Sequence, residues 1–139
     1  MLADINDMRD WLESTEHIAA LLSVAWEAFD LIRTVCRQHE TACGTDFAAY
    51  AMAAAAAVRG RNIIAAAPSI PPRRINLAQA GLAKKADTGQ VADALAVLAA
   101  ALSGRLTSTV MTTASRADEQ AGEQAATQAE SIRALLTSR

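Results

Sequence analysis

Alanine content is the feature of this sequence that most restricts its fold. Alanine occupies 34 of the 139 positions, whereas Gly occurs six times and Pro three times. Alanine has the highest helix propensity and a low strand propensity, and Gly and Pro are the residues that most strongly interrupt helices. The sequence therefore predicts an all-α protein, a four- or five-helix bundle in a single domain covering residues 1–139.

Alanine also limits the hydrophobic core. Hydrophobic residues make up 52% of the chain, but only five side chains are Phe, Trp or Tyr. Because each buried alanine contributes little apolar area, such a core depends on close packing between helices. The hydrophobic content excludes a chain that is disordered throughout, and the net charge of -2 excludes a globally basic nucleic-acid-binding protein.

Gly and Pro positions divide the chain into five predicted helices, with a Pro-rich connector near residues 68–72. The last two segments form either separate helices or one long helix. Uninterrupted, the first helix would be about 58 Å long, whereas a compact chain of this size has a radius of gyration near 14 Å. We therefore expect kinked helices or an elongated bundle that buries its apolar faces against a partner. The predicted helices cover residues 4–42, 46–67, 76–86, 90–113 and 115–138.

Apolar residues recur at helical spacing in the first and fourth predicted helices. We expect the first helix to pack against the fourth and the Ala-rich second helix to fill the groove between them. Aromatic side chains dominate protein interfaces, so we expect a non-enzymatic interaction or assembly module that forms a homo-oligomer, such as a dimer, or binds a partner protein through its aromatic residues and leucine stripe. Burial in the core is the simpler expectation for Phe29, and Trp26 is the better interface candidate. The predicted interface residues are Trp11, Trp26, Phe29, Leu98 and Leu102.

Two pairs of carboxylates suggest an alternative, enzymatic function. Glu13 and Glu16 form one pair, and Glu27 and Asp30 form the other. Paired carboxylates on helices can hold Mg²⁺ for pyrophosphate chemistry. The spacing resembles the acidic motif of the all-α MazG-like nucleotide pyrophosphatases over 18 of the 139 residues, which implies a Mg-dependent hydrolase. Unlike that family, the chain has no break between the pairs, and all four carboxylates are predicted on a solvated face opposite the apolar stripe.

A cysteine and histidine cluster forms a second candidate site. Cys36, His39, Glu40 and Cys43 follow one another at helical spacing, and thiolate, imidazole and carboxylate all bind zinc. Structural zinc sites draw ligands from at least two segments, and no second cluster follows in this chain. We therefore expect neither a metal nor another cofactor, with Cys36 continuing the apolar stripe as a free thiol.

Charge is distributed unevenly along the chain. The net charge is -6 over residues 1–57, +5 over residues 58–90 and -1 over residues 91–139. A basic segment of this kind predicts either contact with nucleic-acid phosphates or internal charge complementarity. No aromatic residue lies among the basic ones to stack on a base, so internal complementarity is preferred and nucleic acid is not expected as a partner. The candidate phosphate-binding residues are Arg59, Arg61, Arg73 and Arg74.

Localisation is suggested by two further features. The first residues do not show the basic segment followed by an apolar segment that is typical of a secretory signal. The most apolar stretch, residues 47–58, is shorter than the roughly 20 residues of a membrane span. We therefore expect a cytoplasmic protein that does not contact a membrane. The high alanine content is typical of a GC-rich bacterial genome.

Overall fold

The computed structural model describes residues 2–15, 17–40, 47–68, 88–110 and 115–138. All five regular elements in these ranges are α-helices, and no strand occurs there, so the prediction of an all-α bundle is confirmed. The predicted helix over residues 76–86 lies outside the described residues, as does the Pro-rich connector except for Pro68. The helices are α1 (Leu2–Ser14), α2 (Ile18–Glu40), α3 (Phe47–Ala65), α4 (Thr88–Val110) and α5 (Arg116–Thr137).

Helices α2 to α5 form an antiparallel bundle, in the order α2, α3, α5, α4 around its axis. The α2–α3 pair is antiparallel because Asp30 contacts Arg61 whereas His39, further along α2, stacks on Tyr50. Helix α5 is antiparallel to α3, since the start of α5 lies beside the end of α3. Helices α4 and α5 are also antiparallel, because the first half of α4 lies beside the end of α5.

Helices α3 and α4 are consecutive in the chain but run in the same direction. It follows that the end of α3 and the start of α4 lie at opposite ends of the bundle. Consecutive helices that run in the same direction occur in recognised four-helix bundle topologies.

Helix α1 corrects the prediction of one continuous helix over residues 4–42. The helix is broken between Ser14 and Ile18, and α1 packs mainly against α4, with fewer contacts to α2. This arrangement buries Ile5, Met8 and Leu12. Packing of the first helix against the fourth is confirmed, whereas the Ala-rich α3 packs between α2 and α5 rather than in the α1–α4 groove.

Small residues set the distance between helices in the bundle. The buried face of α3 is formed largely by alanines, and the buried face of α5 is likewise mostly alanine. At Gly60 the backbone of α3 lies against the Phe29 ring of α2, where an added Cβ would be only 2.4 Å from the nearest ring carbon. Close packing thus compensates for the small side chains.

The break after α1 replaces one helix of about 58 Å with two shorter helices that pack against the same bundle.

Candidate functional site

The most unusual surface of the bundle is the outward side of the first half of α3, which we call the α3 outer face. Every exposed or half-buried position from residue 47 to residue 58 carries an apolar side chain. Phe47 is 52% exposed and Met52 is 55% exposed, and the first charged residue of the helix is Arg59. The α3 outer face consists of Phe47, Ala48, Ala49, Ala51, Met52, Ala55 and Val58.

The residues predicted at the interface are divided between core and surface. Phe29, Leu98 and Leu102 are fully buried inside the bundle, so a partner could reach them only if the helices separated. Trp11 and Trp26 are half-buried and pack against the core. The interface role stays a prediction, and in this fold only the two tryptophans present surface for it.

Trp26 belongs to a polar cluster on the α2–α3 surface. The Arg61 guanidinium lies 5.7 Å from the Trp26 ring centroid and donates a hydrogen bond of 2.8 Å to Asp30. Arg33 donates to the same Asp30 oxygen at 3.3 Å. Cation–π contact and shared ion pairing both favour this packing of α3 on α2. The cluster therefore has an evident structural role in joining the two helices.

The candidate phosphate-binding arginines are partly engaged within the bundle. Arg61 contacts Asp30 and Trp26, and the exposed Arg59 donates to Gln128 of α5 at 3.1 Å. Arg73 and Arg74 lie outside the described residues. For the two described arginines, the contacts are those expected of internal complementarity rather than of a free basic patch.

The four acidic residues of the hydrolase hypothesis do not share one solvated face. Glu13 is exposed on α1, Asp30 is engaged by two arginines of α2 and α3, and Glu16 lies outside the described residues. The placement of Glu27 on the wet face is wrong, since this side chain is only 1% exposed. The break after α1 does put Glu13 and Glu27 on separate helices, as in MazG-like enzymes, but hydrolase activity stays a prediction.

The cysteine and histidine cluster lies at the end of α2. Cys36 is buried and is not in a disulfide, and Cys43 lies outside the described residues. The His39 ring is 7% exposed, stacks on Tyr50 with centroids 5.8 Å apart, and has its Nδ1 atom 3.1 Å from the carbonyl of Val35. Among the described residues, no three potential metal ligands lie together. Packing against α3 accounts for the position of His39.

A shallow groove of about 470 Å³ lies between the end of α3 and the start of α5. Its polar lining consists of amide side chains, and its apolar lining includes Ile63 and Ala121. No charged side chain lines it among the described residues, so the groove offers shape and hydrogen bonds but no acid, base or ion-binding group. The amides are Asn62, Gln120 and Gln124.

Helix α4 carries the other large exposed apolar side chain, Val97, which is 46% exposed. Residues Gly89–Ser108 are long and apolar enough to cross a membrane, judged by length and composition alone. Of the most apolar part of that stretch, 44% is buried inside the bundle. The core helix of a soluble protein can have the same length and composition. This observation is weak evidence for a membrane span.

Comparison of this chain with protein-family models, with curated proteins and with solved structures gives no match. The sequence indicates the position of the α3 outer face, because residues 47–58 form the most apolar stretch of the chain. The sequence does not indicate the orientation of α3, which determines which of those side chains face water.

Proposed function

We propose that this protein is a non-enzymatic interaction module that self-associates through the α3 outer face. The observation that carries the proposal is the absence of any polar side chain at the outward positions of residues 47–58. Contiguous exposed apolar surface is uncommon on monomeric proteins and is favourable to bury. The large exposed side chains Phe47 and Met52 would supply most of the buried area.

A second copy of the chain is the partner that this surface fits most simply. In a symmetric dimer, each residue of the patch meets the same patch, so a charged face would bring like charges together. The α3 outer face has no charge. Its four alanines also allow two helices to approach closely, as the buried alanines do inside the bundle.

The size of the face sets the expected strength of association. Twelve helical residues extend about 17 Å, and a standard stable interface buries about 800 Å² on each partner. A face of that length and about 10 Å wide, the diameter of one helix, covers roughly 170 Å², which is well below 800 Å². We therefore expect a weak, concentration-dependent dimer.

Light scattering after size exclusion, over a range of concentrations, tests the proposal. The wild-type mass should rise above 14.6 kDa as the concentration increases. Met52→Glu should stay at the monomer mass, because dimerisation would bury an unpaired carboxylate. Val97→Glu is the matched control, since Val97 is 46% exposed against 55% for Met52 but lies on α4, across the bundle.

Two results would contradict the proposal. One is a wild-type mass of 14.6 kDa at every concentration. The partner of this face would then have to be a different protein that offers an apolar helix. The other is an equal effect of both substitutions. Circular dichroism of each variant shows whether its helices are retained.

A further inference from the structure

The break between α1 and α2 is not caused by a residue that interrupts helices. Residues 15–17 are Thr, Glu and His, and the chain has neither Gly nor Pro from residue 2 to residue 43. All three residue types are found inside ordinary helices. A single helix over residues 2–40 is therefore a competing local structure for this part of the chain.

The break is stabilised locally by the Ser14 and Thr15 hydroxyls, which donate to the carbonyl of Trp11, and at longer range by α4. Arg105 donates from Nε to the carbonyl of Leu12 at 3.2 Å and from Nη2 to the carbonyl of Thr15. In a continuous α-helix, these two carbonyls would accept bonds from backbone N–H groups four residues later. The guanidinium of Arg105 thus donates to carbonyls that a continuous helix would use for its own backbone hydrogen bonds.

Helix α1 packs on the outside of the four-helix bundle. It buries Ile5, Met8 and Leu12, packs mainly on α4, and lies outside the ring formed by α2 to α5. If residues 15–17 became helical, α1 would extend away from the bundle and expose these side chains together with the surface of α4 that they cover. The α1 helix of a second copy carries the same side chains and can cover that surface in return.

We infer that the α1-binding surface of α4 accepts α1 from a second copy of this chain, so that two chains exchange their first helices. In the exchanged dimer, residues 2–40 form one helix of about 58 Å. Arg105 favours the monomer, because its bonds to Leu12 and Thr15 exist only when the helix is broken. This exchange goes beyond the proposed function, since it uses α1 and α4 rather than the α3 outer face.

The first test replaces Arg105 in a chain that also carries Met52→Glu, which removes the contribution of the α3 outer face. The parent chain with Met52→Glu alone should stay monomeric, whereas Arg105→Ala should lower the dissociation constant of the exchanged dimer about tenfold or more. A dimer should therefore appear in light scattering at the highest concentrations. Arg105→Lys keeps the charge but not the forked geometry and should give a smaller change. Arg116→Ala, at an exposed arginine of α5, is the control and should leave the mass unchanged.

The second test asks whether the dimer requires a continuous helix. Proline has no N–H group and clashes with the preceding turn, so His17→Pro prevents a helix through residue 17. His17 is exposed and lies outside both helices, and the substitution removes no buried side chain. The variant Arg105→Ala/His17→Pro should therefore return to the monomer mass.

Three results would overturn the inference. The first is an Arg105→Ala variant that is folded and monomeric. The second is a dimer that persists when His17→Pro is added. The third is a loss of helicity in Arg105→Ala, which would mean that the break is required for folding. Circular dichroism separates the last result from exchange, since exchange keeps or increases the helix content. Because every variant carries Met52→Glu, the result does not depend on whether the α3 outer face self-associates.

Discussion

Helices α3 and α5 pack against each other in the bundle but present opposite kinds of surface to water. Both bury mainly alanine, and both run nearly the full length of the bundle. The outward side of α3 is apolar from residue 47 to residue 58, whereas that of α5 is rich in Glu, Gln and Thr. The comparison shows that two helices with similar buried faces can have very different exposed faces, and the apolar exposed face of α3 is the basis of the proposed self-association.

The two helices also differ in the contacts that the structure describes for them. Helix α5 has an N-cap, Ser115, and an ion pair between Glu130 and Arg133 on its exposed side. The described contacts of helix α3 are tertiary and include the Phe29 ring against Gly60 and the bond from Arg61 to Asp30. Substitutions at the buried face of α3 should therefore lower the stability of the protein strongly.

The largest expected effect is at that buried face. Gly60→Ala places a Cβ 2.4 Å from the Phe29 ring, and overpacking of this kind costs about 1–3 kcal/mol of unfolding free energy. Gly104→Ala, with no heavy atom within 4 Å of the added Cβ, should instead stabilise α4 by about 0.5–1 kcal/mol. Urea denaturation of both variants checks the opposite signs. A neutral Gly60→Ala would show that α3 does not approach α2 so closely.

The next effect concerns the capping of α5. The Ser115 hydroxyl accepts a hydrogen bond from the Asp118 backbone N–H at 3.3 Å, so Ser115→Ala should cost about 1 kcal/mol. Ser131 lies in the middle of the same helix, and Ser131→Ala should be neutral or slightly stabilising because alanine has the higher helix propensity. Equal denaturation midpoints for the two variants would show that Ser115 makes no capping contribution.

A residue swap between the two exposed faces tests their difference directly. The double variant Met52→Glu/Glu123→Met keeps the composition and moves one methionine from α3 to exposed α5. Its unfolding free energy should change by less than about 0.5 kcal/mol, as is usual for exposed positions. Self-association should be lost and not restored, because the rest of the α5 surface stays polar. Recovery of the dimer, measured by light scattering, would mean that any exposed methionine is sufficient.

The smallest effect is the pH dependence of the ion pair on α5. The hydrogen bond from Arg133 holds the pKa of the exposed Glu130 carboxyl below its ordinary value. A carboxyl with a lowered pKa stabilises the folded state above its unfolded-state pKa, and this contribution is lost as the pH falls through the folded-state pKa. Glu130→Gln should therefore remove a small stability difference between neutral and acidic pH, detectable by thermal unfolding. An unchanged pH profile would show that solvent and salt screen the pair fully.

Much of the helical framework could be predicted from the sequence. The predicted segments 46–67, 90–113 and 115–138 agree with α3, α4 and α5 to within three residues at each described end, because Gly, Pro and capping residues mark local boundaries. The break after Ser14 could not be predicted in this way. The carbonyls of Leu12 and Thr15 accept hydrogen bonds from Arg105, about 90 positions away. The local bonds from the Ser14 and Thr15 hydroxyls to the Trp11 carbonyl are of a kind that also occurs inside continuous helices.

The candidate surfaces could likewise be predicted only in part from the sequence. Helical periodicity placed Glu27 on the solvated side of one straight helix, but α2 is covered on more than one side and the residue is buried. Periodicity also marked Leu98 and Leu102 as an apolar stripe without showing that the stripe faces the interior of the same chain. Residues 47–58 were evident as an apolar stretch, yet their exposure depends on how α3 is oriented between α2 and α5.

The sequence by itself determined that this protein is helical, where three of its helices lie, and that its helices pack closely, because helix propensity and side-chain volume are local properties. Only the tertiary structure decided the helix order around the bundle, the fold-back of α1 and the outward orientation of Phe47 and Met52. These features arise from contacts between residues distant in the chain, such as Arg105 with Leu12, and their energies depend on positions that no local pattern encodes.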